Sequence, residues 1–234
     1  LIRLLSYNIR ALHDDPAAVA RVIRACRPDI VCLQEVPRFW GWRAQRDRLA
    51  RECGLEIAAG RRSAGLAVLV RPEVQVAYSS YTMLTWSPPL HRRALALAVV
   101  EASGVRVVVA STHLDLASGP RLRHVKEILP VLQGASADFR APVVLAGDFN
   151  EEPGGPSWTL LTRTFQDAFA TAPAGQELTF SAADPHERID AVFVDPELTV
   201  LGCGVPDDPD GDFVLATDHR PLLAEFDRVL TPEP

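Results

Sequence analysis

Short apolar runs that each stop at a polar or acidic residue constrain this chain more than any other feature. Leu4-Leu5-Ser6-Tyr7 stops at Asn8, Val31-Cys32-Leu33-Gln34 at Glu35, and the run over 107–112 at His113. Val143-Val144-Leu145-Ala146-Gly147 stops at Asp148, with Asn150 close behind. Apolar runs of this length bounded by turn formers read as buried strands. Further strands are expected at 56–59, 65–71, 74–81, 189–194, 197–202 and 221–227. Residues 93–100 and 105–110 flank Ser103-Gly104, a hairpin signal. Helices are expected from Asp15-Pro16 to Cys26, from Trp42 to Cys53 closed by Gly54, and over 119–133. Hairpins together with strand–helix–strand crossovers imply mixed sheets with helices on their outer faces, an α/β (α+β) chain. With no Gly/Ser/Pro linker and no internal repeat, residues 1–234 read as one domain.

Composition excludes several classes. At 47% hydrophobic and 23% charged residues, the chain is neither disordered nor fibrous. Its longest apolar run, Ala94 to Val100, falls far short of the roughly 20 residues of a membrane span. No signal peptide is visible before the first strand, although a start at Leu1 suits a trimmed form, so cytoplasmic and secreted locations both stay open. Cys26, Cys32, Cys53 and Cys203 lack the spacing of a zinc or redox site, and most of them read as buried thiols. A net charge of −6 disfavours a sequence-independent nucleic-acid binder. It does not exclude a nuclease, whose metal-holding carboxylates add to the negative count. The acidic, proline-containing stretch 206–212 reads as a solvated loop, since an EF-hand's glycine and glutamate are out of register.

The residues at the strand ends carry the chemistry. Oxygen-rich sets of carboxylates and amides suit Mg²⁺, Mn²⁺ or Ca²⁺ rather than zinc. Taken singly, Asn8, Glu35 and Gly147-Asp148-Phe149-Asn150 can all be turn or surface residues. Asp190, inside Arg188-Ile189-Asp190-Ala191-Val192-Phe193, is different: a buried carboxylate needs a partner, and His219 is the candidate.

Six segments taken together go further. Ser6-Tyr7-Asn8-Ile9, Leu33-Gln34-Glu35-Val36, Ser111-Thr112-His113-Leu114, Gly147-Asp148-Phe149-Asn150, Arg188-Ile189-Asp190 and Thr217-Asp218-His219-Arg220-Pro221 occur in this order. The set resembles the ordered motifs of the endonuclease/exonuclease/phosphatase superfamily, which includes DNase I-like nucleases, abasic-site endonucleases, neutral sphingomyelinases and inositol polyphosphate 5-phosphatases. The resemblance implies a four-layered, DNase I-like α/β/β/α sandwich with the site at one rim. It implies Glu35 as principal metal ligand with Asn8 and Asp218 nearby. Asp148 and Asn150 would hold the attacking water or a second metal and the phosphate. His219 would be general base, oriented by Asp190, and His113 would contact the phosphate or leaving group. Arg10 and His113 stand where abasic-site endonucleases carry Asp and Tyr, which moves the chain towards the DNase I, sphingomyelinase and phosphatase side.

The expected activity is therefore divalent-metal-dependent phosphoester hydrolysis by a monomer. Nuclease-like phosphodiester cleavage is placed ahead of a lipid or small-molecule phosphodiesterase or phosphatase. A catalytically silent binding protein should have lost one of the motif residues, and none is missing. Substrate selection is left to loops. His91-Arg92-Arg93 can reach the site, and His186 can line it or lie on the surface. Arg43, Arg46, Arg48 and Arg51 read as a solvated helix face. Trp40, Trp42, Trp86 and Trp158 are expected to pack, with Trp86 in its proline-rich loop the best candidate for stacking on a base.

Overall fold

The computed structural model describes residues 1–228. The chain opens with β1 (Ile2–Asn8), α1 (Pro16–Cys26), β2 (Ile30–Gln34), α2 (Trp42–Cys53), β3 (Glu56–Arg61) and β4 (Leu66–Val70). It continues through β5 (Gln75–Met83), β6 (Ala94–Ala102), β7 (Val105–His113), α3 (Ser118–Phe139) and β8 (Val143–Asp148). The last third holds α4 (Pro156–Leu161), β9 (Gln166–Asp167), α5 (Ala168–Thr171), β10 (Asp190–Val194), β11 (Leu198–Gly204), α6 (Phe213–Ala216) and β12 (Leu222–Arg228). Two six-stranded sheets result, ordered β11-β12-β1-β2-β4-β3 and β5-β6-β7-β8-β10-β9. This is the expected mixed, layered α/β architecture.

Alternation within the strands explains the layers. On β6, Ala94, Ala96, Ala98 and Val100 face the other sheet, while Leu95, Leu97 and Val99 face the apolar stripe of α3. Both faces are dry, which is why the segment reads as one apolar run. The first sheet repeats this: Ile2 and Leu4 point between the sheets, Leu5 and Tyr7 towards α1. Small inward alanines let the sheets approach, and larger outward side chains fill the space beneath the helices.

Each sheet has one parallel pair at its centre. The crossover α1 returns the chain so that β2 runs parallel to β1, and α3 does the same for β7 and β8. Parallel strands end on the same side, so Asn8 lies beside Gln34 and His113 beside Asp148. The antiparallel neighbours β12 and β10 begin at that rim, with Leu222 opposite Ser6 and Asp190 opposite Asp148. Near it, Gln34 Nε2 donates to Ser111 Oγ at 3.1 Å, and that hydroxyl donates to Leu33 O at 3.2 Å, tying one sheet to the other. Gly147 is a strand residue in this setting, because a Cβ there would stand 2.1 Å from the Thr112 carbonyl oxygen.

Three expectations need correction. Helix α3 does not stop at 133 but runs to Phe139, because Phe139 and Ala135 pack on the outer core and Phe139 meets Tyr78 at 5.1 Å. Pro130 is tolerated inside it because Pro130 and Lys126 are exposed, leaving the freed Lys126 carbonyl to water. The stretch 206–212 is a loop but not wholly solvated. Asp212 is buried against Arg21 at 2.6 Å, and Asp208 accepts from the backbone of Asp212 and Phe213 at 2.9 Å. Trp40 does not pack; it is 100% exposed, whereas Trp158 is buried among Phe149 and Phe193. No helix of the described residues is long and apolar enough to cross a membrane.

Candidate active site

The rim is held in shape by backbone that most residues avoid. Arg10, Ala11 and Leu12, just past β1, take left-handed φ values of 42°, 55° and 56°. Each such residue costs about 1–2 kcal/mol, and such strain collects at functional sites. Here it lets the Arg10 amide donate to Asn8 Oδ1 at 3.1 Å and the Ala11 amide to Glu35 O at 2.6 Å. Glu35 and Asn150, each following the second strand of a parallel pair, are left-handed too, at 51° and 49°.

Asn8 joins the two sheets. Its Nδ2 donates to Asp148 Oδ2 at 3.0 Å and to Glu35 Oε1 at 3.2 Å. Asp148 Oδ2 also faces His113 Nε2 at 3.3 Å and His219 Nε2 at 3.6 Å, while its Oδ1 accepts from the Asn150 amide at 3.0 Å. The His219 ring is fixed from behind by Asp190, whose Oδ2 lies 2.9 Å from Nδ1, and it packs on Phe180 at 5.0 Å. Thr179 Oγ1 accepts from the Asp190 amide at 3.2 Å. Asn150 Nδ2 donates to Leu114 O at 3.0 Å and lies 3.1 Å from His113 Nε2, an arrangement in which the neutral ring accepts at that nitrogen.

A cavity of about 260 Å³ opens over this cluster, walled by Glu35, Asp148, Asn150, His113 and His219 and by Arg38, His91, Arg93 and Leu116. Seven of the eight expected site residues are therefore brought together: Asn8, Glu35, His113, Asp148, Asn150, Asp190 and His219. Asp218 stands at the edge, its carboxylate accepting from Thr217 Oγ1 at 3.2 Å and lying 3.4 Å from Arg10 Nε.

Two buried histidines a few ångströms apart have opposite charge preferences. Burial pushes His113 down to about 3; Arg93, His219 and Arg38 add to this, against the pull of Asp148. Burial also opposes charge on His219, but the charge and hydrogen bond of Asp190, with Asp148 and Asp218 behind, outweigh it and lift His219 to about 10. One ring is neutral across the physiological range, the other cationic when no metal is bound.

Two kinds of metal donor coexist. Asp148, Asp190 and His219 have ligand atoms within 4.8 Å of one another and are all buried. That grouping is partly engaged in its own hydrogen bonds, since Asp190 Oδ2 holds His219 Nδ1, while Asp190 Oδ1 is buried without a partner among the described residues. Glu35 is different. Its side chain is 41% exposed, it lines the cavity, and its one hydrogen bond comes from Asn8. The oxygens that Glu35, Asp148 and Asn150 bring to the cavity wall fit a hard divalent cation.

Arg38, Leu116 and the partnership behind Arg93 carry no sequence signal. Arg93 is buried and donates from Nε to Asp115 Oδ1 at 3.0 Å, with His124 Nδ1 on the far side of Asp115 at 3.9 Å. His91 and Arg93 reach the site as expected, while Arg92 stacks on Trp86 at 4.6 Å. His186 lies on an exposed loop.

A family model described as the Endonuclease/Exonuclease/phosphatase family matches residues 5–219, spanning every residue of this cluster. The chain belongs to that family. A conserved protein of unknown function from Enterococcus faecalis V583 superposes with a TM-score of 0.82 at 25% identity, covering 97% of this chain and 100% of its own. Bacteroides thetaiotaomicron mannosyl-6-phosphatase gives 0.81 at 16% identity, with coverage of 97% and 100%. The human Nocturnin catalytic domain, solved with a bound sulfate anion, gives 0.74 at 20%, with coverage of 97% and 93%. The last two, below 25% identity, establish the shared DNase I-like fold. No curated protein matches the sequence. Members of this family are hydrolases that act on phosphoesters.

Proposed function

We propose that the protein is a divalent-cation-dependent phosphodiester hydrolase of nuclease-like type. The observation that carries the reading is the buried His219–Asp190 pair, 2.9 Å apart, which shares one cavity with the open carboxylate of Glu35. Glu35, with Asn8 and Asp218 beside it, would hold Mg²⁺ or Mn²⁺; Asp148 and Asn150 would serve a second ion or the attacking water. A cation there supplies neutralisation of a non-bridging phosphate oxygen, without which an anionic diester repels its nucleophile.

The remaining work belongs to the side chains. Asp190 fixes Nδ1 of His219, so Nε2 faces the cavity and can take the proton of an attacking water. Its contacts there, Asn8 at 3.5 Å and Asp148 at 3.6 Å, are too long to hold the ring in place of water. The neutral imidazole a base requires is favoured once positive charge compensates Asp148 and Asp218. His113, kept neutral by burial, would donate from Nδ1 to a phosphate oxygen, and Arg93, held by Asp115, would balance developing charge. A cavity of about 260 Å³ also admits a small phosphomonoester, which is the competing reading.

Hydrolysis of bis-p-nitrophenyl phosphate, p-nitrophenyl phosphate and oligonucleotides with Mg²⁺, Mn²⁺, Ca²⁺ or EDTA tests this. Metal-dependent diester turnover that vanishes in His219→Ala is expected. Turnover of monoesters alone would move the protein to the phosphatase reading, and activity indifferent to EDTA would sink the metal-dependent one.

A further inference from the structure

A second depression neighbours the cavity, and one turn of the chain contributes to both walls. The short turn Arg62–Ala64 has Ala64 on the cavity wall and Arg62 and Ser63 on the wall of a groove of about 690 Å³. One Cα step separates Ser63 from Ala64, about 3.8 Å, and two separate Arg62 from it, at most about 7.6 Å. The far side of the groove is the start of α2, where the guanidinium carbons of Arg43 and Arg46 stack on Trp42 at 5.2 and 5.0 Å. Arg38 lines the cavity, and its side chain lies across Gly65, the residue that follows this turn: a Cβ there would meet its Cδ at 3.1 Å.

The charge of this track is not neutralised. Among the described residues, Arg38, Arg43, Arg61 and Arg62 form no ion pair, and Arg46 pairs only with its neighbour Asp47. In a chain of net charge −6, this is a local reversal of sign leading away from the site. The loop that leads into α2 carries Phe39 at 76% and Trp40 at 100% exposure, large rings left in water. A groove lined with arginines plus free aromatic faces is what a flexible polyanion with planar substituents requires. A duplex keeps its bases stacked and offers no faces to these rings. A bilayer surface would suit a convex tip, but the arginines lie in a concave groove.

We propose that this groove binds single-stranded nucleic acid. The phosphates beyond the scissile one lie along Arg38, Arg61, Arg62, Arg43 and Arg46, and a base stacks on Trp40. The assignment rests on the phosphodiesterase reading of the adjoining cavity and names its substrate class.

Fluorescence anisotropy of a labelled oligothymidylate in EDTA measures binding with turnover removed. Wild type should bind the single strand more tightly than a duplex of equal length. The double substitution R61A/R62A should weaken binding at least tenfold and flatten the dependence of log Kd on log salt by about 1.4, two contacts at about 0.7 each. Trp40→Ala should weaken it by roughly tenfold with the salt slope unchanged. Unaltered circular dichroism shows that each variant folds. Folded variants that bind like wild type overturn the proposal, as does wild type that co-sediments with phosphatidylserine vesicles but ignores the strand. Strand binding without metal-dependent turnover of bis-p-nitrophenyl phosphate would sink the reading of the cavity and leave the groove standing. Turnover with no groove-dependent binding would do the reverse.

Discussion

The two sheets place their functional residues by the same backbone device and use them oppositely. In each, a helical crossover aligns two parallel strands, a residue just past the second, Glu35 or Asn150, turns left-handed, and an antiparallel strand starts at the same rim. From the first sheet come the exposed carboxylates, Glu35 and Asp218, at 41% and 37%. From the second come the buried ones, Asp148 and Asp190, at 2% and 1%. Their histidines diverge as well: His219, before β12, is held cationic by the second sheet's carboxylates, whereas His113, at the end of β7, is held neutral by burial. Residues gathered at one rim by the same device thus acquire different chemistry from depth and from what crosses the gap.

Breaking the pair that spans the sheets should have the largest effect. His219→Ala is expected to lower kcat by about 10³-fold or more, and Asp190→Asn by roughly 10²–10⁴-fold through loss of the tautomer. Steady-state kinetics on a diester would decide, and a variant within threefold of wild type would remove that residue from the mechanism.

Glu35→Gln separates the exposed carboxylates from the buried ones. Titration calorimetry should show cation affinity falling by about tenfold or more while the fold persists. Undiminished affinity would return the metal to Asp148, Asp190 and His219.

The opposite histidines predict opposite pH effects on the stability of chelated protein. His219, raised to about 10, contributes stability fully present below its unfolded value of about 6.5 and lost as pH rises through 10. His113, lowered to about 3, resists a proton the unfolded chain accepts, so it costs stability as pH falls from about 6.5 towards 3. Urea midpoints across pH should therefore flatten on the alkaline side in His219→Gln and on the acid side in His113→Gln. Identical profiles would contradict the split.

The smallest effect belongs to Arg10. Its pair with Asp218 is exposed, so Arg10→Ala should alter stability by less than about 1 kcal/mol. Removing the cation should tighten Mg²⁺ binding severalfold at low salt, and no change in affinity would place Asp218 outside the metal site.

Much of this was legible from residue order. Strands and helices were readable because their periodicities report two-sided burial on β6 and β7 and one-sided burial on α1. The short elements β9, α4, α5 and α6 were not, since segments of so few residues have no period to detect. The partner proposed for Asp190 was readable from the cost of a lone buried carboxylate. The link between Asn8, Glu35 and Asp148 was not, because it crosses from one sheet to the other.

By itself, the sequence determined the layered fold, the family and the identity of the rim residues, because strand periodicity, helix caps and ordered polar strand ends are local and survive being read along a line. Only the tertiary structure decided which carboxylates are open and which are sealed, which histidine keeps its proton, that Arg93 is backed by Asp115, and that Trp40 stands in water beside a basic groove. Those properties depend on burial and on charges brought together across long stretches of chain, and neither is defined until both sheets have closed on each other.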